Sequence, residues 1–153
     1  MELAPQDLAP KEGAILFACT MNAVRSPMAA VMLRHLTRGL YIESAGVKAG
    51  TLDPLAVEAM GEIGLEIAKH RPRRFQDLED GNFDLVITLS PEAQHQAMEL
   101  TRMTATRVEY WPTMDPTAVE GSREQRLDAY RAVRDQLMQR LKQRFGAPAA
   151  ADT

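Results

Sequence analysis

The chain has 153 residues, 18 of them Lys or Arg and 21 Asp or Glu, giving a formal net charge of −3, with 45% hydrophobic and 25% charged residues. These proportions describe one domain of ordinary size able to bury a core, and they exclude a long modular protein or a chain disordered by composition. Apolar runs such as Ala14 to Ala18 fall far short of the roughly 18 residues of a membrane span, and the mild acidity is wrong for a nucleic-acid binder. Three histidines without ligand spacing make no zinc site, and one cysteine makes no intrachain disulfide.

Residues 1–12 carry Glu2, Asp7 and two prolines, the reverse of a basic signal-peptide start, so a flexible lead-in to a cytoplasmic domain over 13–146 is expected. Gly13 to Ala18 reads as a fully buried strand that runs straight into Cys19. Ser26-Pro27 supplies an N-cap and a first-turn proline, and Met28, Val31, Met32 and Leu36 recur at helical spacing, predicting a helix over Pro27–Arg38. Leu40 to Ser44 reads as a second strand ending at Ala45-Gly46. Asp53-Pro54 opens a helix with Leu55, Ala59, Met60 and Ile63 on its apolar face and Gly64 as its C-terminal cap. The stretch from His70 to Asp80 predicts a loop with a short helix.

Phe83 to Leu89 is the clearest buried strand. Ser90-Pro91 repeats the cap-then-proline start of a helix reaching Thr101, and Thr106 to Tyr110 makes a fourth strand. Ser122 with Gln125 forms a capping-box pair before a long amphipathic helix carrying Leu127, Tyr130, Val133, Leu137 and Leu141 and ending near Gly146; a disordered tail from Ala147 to Thr153 is expected. Alternating strands and helices predict an α/β fold with a parallel sheet covered on both faces, whose ligands sit at the carboxyl ends of the strands. Met28, Met32, Met60 and Met98 read as core fillers. Arg71, Arg73 and Arg74 read as a solvated turn or a landing site for an acidic partner, and Arg131, Arg134 and Arg140 as an exposed helix face.

The segment Cys19-Thr20-Met21-Asn22-Ala23-Val24-Arg25-Ser26-Pro27 puts a thiol and a guanidinium at the two ends of a seven-residue loop between a buried strand and a helix N-terminus. Successive backbone amides of a curled loop converge on a tetrahedral anion, the helix dipole adds positive potential, and the arginine fork binds two oxygens in one plane. The same surroundings suit a thiolate, the nucleophilic form of cysteine, and Ser26 is placed to donate a hydroxyl hydrogen bond to the sulfur. A thiolate that attacks a phosphate monoester needs a proton for the leaving group and later a base for water. Asp115, in the proline-bracketed loop Trp111-Pro112-Thr113-Met114-Asp115-Pro116 after the fourth strand, is the candidate.

The order Cys19, five residues, Arg25-Ser26-Pro27, then Glu43-Ser44-Ala45-Gly46, then Asp84 to Thr88, then Asp115-Pro116 before a terminal helix resembles the low-molecular-weight protein tyrosine phosphatase family. That resemblance implies a three-layer α/β sandwich with four parallel strands in order 2-1-3-4. It implies a metal-free and cofactor-free phosphomonoester hydrolase, a protein tyrosine phosphatase acting through a phosphocysteine intermediate on a phosphorylated protein or small phosphomonoester and inhibited by phosphate-like oxyanions. By the same match Cys19 is the nucleophile, Arg25 the phosphate clamp, Ser26 the thiolate stabiliser and Asp115 the acid, then base. Thr20, Met21, Asn22, Ala23 and Val24 complete the phosphate loop, and Ser44 and His70 brace Asn22.

Four positions depart from the family pattern: Met21 stands where glycine is usual, Val24 where many members have a second cysteine, Thr117 where many have an aromatic residue, and Ala23 in place of a larger apolar side chain. They leave the phosphate chemistry in place and bear on the leaving group. Two alternatives share the loop. One is an arsenate reductase, which with a single cysteine needs an external thiol. The other is a non-catalytic module that binds phosphate or a phosphoprotein.

Overall fold

The computed structural model describes residues 13–78 and 82–146, so the expectations for the first dozen residues and for the tail lie outside the described residues. Four strands form one sheet: β1 (Ala14–Cys19), β2 (Tyr41–Gly46), β3 (Leu85–Thr88) and β4 (Arg107–Tyr110), in the order 2-1-3-4 and all parallel. Helices α1 (Arg25–Leu36), α2 (Pro54–Gly61) and α4 (Arg123–Phe145) cover one face and α3 (Pro91–Leu100) the other, with a short 3-10 turn at Phe75–Asp77. The expected three-layer α/β architecture and strand order are present.

Alternation along β1 explains the two cores. Ile15 and Phe17 pack with Met28, Met32, Leu33, Met60, Leu137 and Leu141, whereas Leu16 and Ala18 pack with Phe75, Phe83, Val86, Ala93 and Ala97. Because both faces are covered, the buried strand reads as an unbroken apolar run. Register aligns Cys19 with Gly46, and Ala18, Thr88 and Tyr110 across the other strands, so the loops after β1, β3 and β4 leave from one edge. β2 lies on one side of β1 and β3 on the other, which makes that edge the switch point where a parallel sheet opens a crevice.

Caps and termini follow the sequence in most places. Asp53 and Ser90 cap α2 and α3 through bonds from Leu55 N and Ala93 N, and Ser122 and Gln125 form the capping box of α4. Gly64, at φ +78°, closes α2 with Gly64 N donating to Gly61 O and Leu65 N to Met60 O.

Some expectations need correction. α1 starts at Arg25 rather than Pro27, and Ser26 is not its cap: the cap position is Val24, with no side-chain bond. Ser26 Oγ is turned instead to the cysteine sulfur, so no side chain takes up the first-turn amides. Ile63 and Met98 are exposed, because the first lies beyond the end of α2 and the second on the solvent side of α3. Arg134 is buried and donates to Ala59 O and Glu62, Arg131 pairs with Glu62, Glu124 and Asp128, and the Arg140 guanidinium lies 4.9 Å above the Trp111 ring. The arginine face of α4 is therefore bonding surface to α2 and β4 rather than bare solvent surface.

Candidate active site

The loop between β1 and α1 is held from outside by its carbonyls. Val47, Lys48, Gly50 and Asp53 donate their amides to the carbonyl oxygens of Cys19, Thr20, Met21 and Ala23 at 3.1, 2.8, 2.9 and 3.3 Å. In a planar trans peptide the following N–H points opposite to the carbonyl, so the next amide in each case turns away from the 47–53 segment. Close packing of this segment needs Gly46, where an added Cβ would sit 2.5 Å from Lys48 O, 2.8 Å from Asn22 N and 2.9 Å from Thr20 O.

Asn22 makes the bend. Its φ of +54° is the left-handed conformation that asparagine tolerates better than most residues. Its side chain is fully buried: Nδ2 donates to Ser26 Oγ at 2.8 Å and to Ser44 Oγ at 3.0 Å, while Oδ1 accepts from Arg73 N at 2.9 Å. His70 Nε2 lies 3.1 Å from both Asn22 O and Asn22 Oδ1, and two acceptors on one nitrogen assign the proton to Nε2. Burial is the main reason that the His70 pKa lies below its ordinary value, and the Arg73 and Arg34 guanidiniums push the same way. The bond to the Asn22 carbonyl and the Glu43 charge oppose them. Ser44 and His70 both therefore touch the residue they were expected to brace.

Cys19 is buried at the end of β1, with Sγ 2.9 Å from Ser26 Oγ. Ser26 Oγ accepts from Asn22 Nδ2, and its own hydrogen faces two acceptors, the sulfur at 2.9 Å and the Ala45 carbonyl oxygen at 3.5 Å, of which the sulfur is the nearer. Arg25, 7% exposed, donates through Nη1 to Thr113 O at 2.9 Å, so the guanidinium at the helix start is tied to the loop after β4. That loop is rigid at its root: Trp111 N donates to Thr88 O, Thr113 N to Leu89 O, and the buried Trp111 ring packs edge-on to Phe17 beneath Arg140.

Asp115 caps a 3-10 turn, accepting on Oδ1 from Thr117 N at 3.0 Å and Thr117 Oγ1 at 2.7 Å. Cys19, Met21, Ala23, Val24, Arg25, Gly50, Thr51, Asp53, Asp115 and Thr117 surround one cavity of about 200 Å³. Met21 is 41% exposed, and an added Cβ on Gly50 would lie 3.1 Å from its terminal methyl carbon, so the side chain sits on the cavity rim over Gly50. Thr20 faces the other way, with Oγ1 bonded to Ser90 Oγ and Glu92 Oε1 at the start of α3.

Cys19, Met21, Ala23, Val24, Arg25 and Asp115 thus line one cavity, Asn22 and Ser26 brace the loop behind it, and Thr20 turns away to Ser90. Three contacts were not anticipated: the Thr113 carbonyl on Arg25, Thr20 on Ser90, and Asp53 on the cavity wall, where Tyr130 Oη donates to it. The Asp53-Pro54 pair gave a helix cap and nothing more, and no sequence signal links Tyr130 to it. Arg73 pairs with Glu43 and Arg74 with Asp77, which favours the solvated turn over a landing site. A separate apolar cavity of about 250 Å³ lies beneath α3, between Phe75, Phe83 and Leu100, and the described residues of its wall carry no charge. Among the described residues no cluster of His, Cys, Asp and Glu has the geometry of a metal site, and no helix is long and apolar enough to cross a membrane.

Residues 14–150 match the family model described as low molecular weight phosphotyrosine protein phosphatase. The arsenate reductase of Shouchella clausii is 36% identical over 129 residues, covering 84% of this chain and 91% of that protein. Among solved structures, the arsenate reductase of Archaeoglobus fulgidus superposes with a TM-score of 0.66 at 27% identity, over 84% of this chain and 96% of the other. The YwlE arginine phosphatase of Geobacillus stearothermophilus does so with a TM-score of 0.69 at 26% identity, over 84% and 88%.

Proposed function

The chain belongs to the low-molecular-weight phosphotyrosine protein phosphatase family, a family of enzymes, and on that premise we propose that it is a cysteine-dependent phosphomonoester hydrolase working through a phosphocysteine intermediate. The observation that carries this reading is the 2.9 Å Cys19–Ser26 contact, with Cys19 in the wall of a cavity that also holds Arg25 and Asp115.

Cys19 Sγ attacks phosphorus in line as the bond to the leaving oxygen breaks. Ser26 Oγ–H stabilises the thiolate before attack, and the loop amides with the free N–H groups of Arg25 take the charge spread over the three equatorial oxygens. Asp115 protonates the departing oxygen. Thr117 occupies Oδ1, so Oδ2 carries the proton. In the second half the Asp115 carboxylate takes a proton from water, the water oxygen attacks phosphorus, the S–P bond breaks, and inorganic phosphate leaves with the thiolate restored. Met21 on the rim and Thr117 in place of an aromatic wall argue for a leaving group other than a tightly sandwiched ring.

A second reading is favoured by the names of the curated relatives. In an arsenate reductase Cys19 would attack arsenic in the same cradle. The two electrons that take arsenic from +5 to +3 would then come from Cys19 and an external thiol, leaving a mixed disulfide, because the sequence has one cysteine. A purely binding module has no use for an acid beside a thiolate. Steady-state hydrolysis of p-nitrophenyl phosphate from about pH 5 to about pH 8 with a chelator present, in wild type and Cys19→Ser, tests the phosphatase. Turnover lost in the variant supports it. A folded wild type without turnover overturns it, and thiol-dependent arsenate reduction against phosphate titration then separates the other two.

A further inference from the structure

Asp53 is a second acidic residue in the wall of the cavity that contains Cys19, Arg25 and Asp115. Capping α2 uses one of its oxygens, Oδ1, which accepts from Leu55 N at 2.9 Å. The other, Oδ2, accepts from Tyr130 Oη at 2.5 Å, a hydroxyl brought in from α4, a helix far away in sequence. Tyr130 is almost wholly buried, and burial followed by the Asp53 contact raises its pKa, so it stays a donor. With one donor on each oxygen, the carboxylate keeps further lone pairs.

The charge inventory of the wall is lopsided. Among the described residues Arg25 is the one cation in it, and it is taken up by Thr113 O and, in the reaction proposed above, by phosphate. Asp115 enters that reaction protonated. The Cys19 thiolate is consumed by its attack on phosphorus, so Asp53 is the negative charge that stays in the wall beside the phosphate dianion, among Met21, Ala23, Val24 and small or hydroxylic residues. Arg126, the cation that acts on Tyr130 from α4, is exposed and outside the cavity wall. A substrate with a positive group next to its phosphate relieves this repulsion, and a neutral one does not.

We propose that Asp53 is a specificity-determining residue that selects phosphate esters bearing a cationic group on the leaving side, over uncharged aryl or alkyl esters. This rests on the phosphatase reading of the site. Its test compares phenyl phosphate with para-aminomethylphenyl phosphate, which differ in one ammonium, by kcat/KM in wild type and in Asp53→Asn. Asparagine keeps the cap and removes the charge.

Wild type should prefer the ammonium substrate by about 3- to 10-fold, the range of a partly exposed ion pair to a charge-assisted bond, and Asp53→Asn should lower that ratio by about 3-fold or more. Raising the salt should lower it in wild type and less in the variant. A merely structural loss would scale both substrates together and leave the ratio in place. Equal kcat/KM for the two substrates in wild type, or an unchanged ratio in Asp53→Asn, overturns the proposal. If Asp53→Asn does not fold, Asp53→Ser, which also caps, gives the same comparison. Absence of turnover of both substrates by folded wild type overturns the phosphatase reading as well, so the two failures are told apart.

Discussion

Arg25 Nη1 donates to the carbonyl oxygen of Thr113 at 2.9 Å, fastening the cation at the start of α1 to the loop that carries Asp115 two residues later. Arg25 and Asp115 are thereby held in one register by a bond that uses one of the five N–H groups of the guanidinium.

Arg25→Lys tests this double duty. An ammonium keeps the charge but has no planar fork to reach Thr113 O and two phosphate oxygens together. The kcat/KM for p-nitrophenyl phosphate should fall by about 100-fold or more, equivalent to losing one to two charge-assisted hydrogen bonds. A fall under about 3-fold would separate Arg25 from phosphate binding.

Asn22→Ala removes four side-chain contacts and leaves a left-handed residue with no side chain to compensate. Unfolding in urea should show a loss of about 2–4 kcal/mol, with Ser44→Ala costing about 1 kcal/mol. Activity of Asn22→Ala should fall more than that of Ser44→Ala, because Ser26 loses the donor that orients its hydroxyl to Cys19.

Gly46→Ala places a methyl against three backbone atoms, at 2.5, 2.8 and 2.9 Å, none of which belongs to a flexible side chain. Either the Thr20–Asn22 bend or the Lys48 peptide has to shift. The expected outcome is weakened phosphate binding, read by titration, with the helices intact by circular dichroism.

The His70 pKa is lowered from 6.5 by burial, so the unfolded chain binds a proton there more readily than the folded one. The histidine's contribution to stability is thus present above pH 6.5 and is lost as pH falls through the lowered folded value. Urea midpoints measured across that acid range should drop in wild type and drop less in His70→Gln. Parallel profiles would contradict the buried neutral imidazole at Asn22.

The contiguous part of the site was legible in the sequence because its chemistry needs neighbours: a strand end, a short loop, and a helix start must follow one another to place Cys19 and Arg25 together. The sequence offers Ser26 both as a cap and as a partner of the sulfur, and the fold uses the second, since one hydroxyl oriented by Asn22 cannot also close the helix. Strand order came with the family resemblance rather than from hydrophobic pattern, which is identical for any order of buried strands. Tyr130 on Asp53 and Thr113 O on Arg25 were illegible because they join distant elements, one of them through a backbone oxygen that has no residue signature. Arg131 and Arg134 looked solvated because helical period marks the polar side of α4, and does not reveal that α2 offers Glu62 and Ala59 O to it.

The most direct measurement is an acid quench of the enzyme during turnover of p-nitrophenyl phosphate, followed by mass spectrometry of the peptide containing Cys19. One phosphoryl group on that peptide in wild type, with neither adduct nor turnover in Cys19→Ser, is the predicted result. Turnover retained in Cys19→Ser would contradict a cysteine nucleophile.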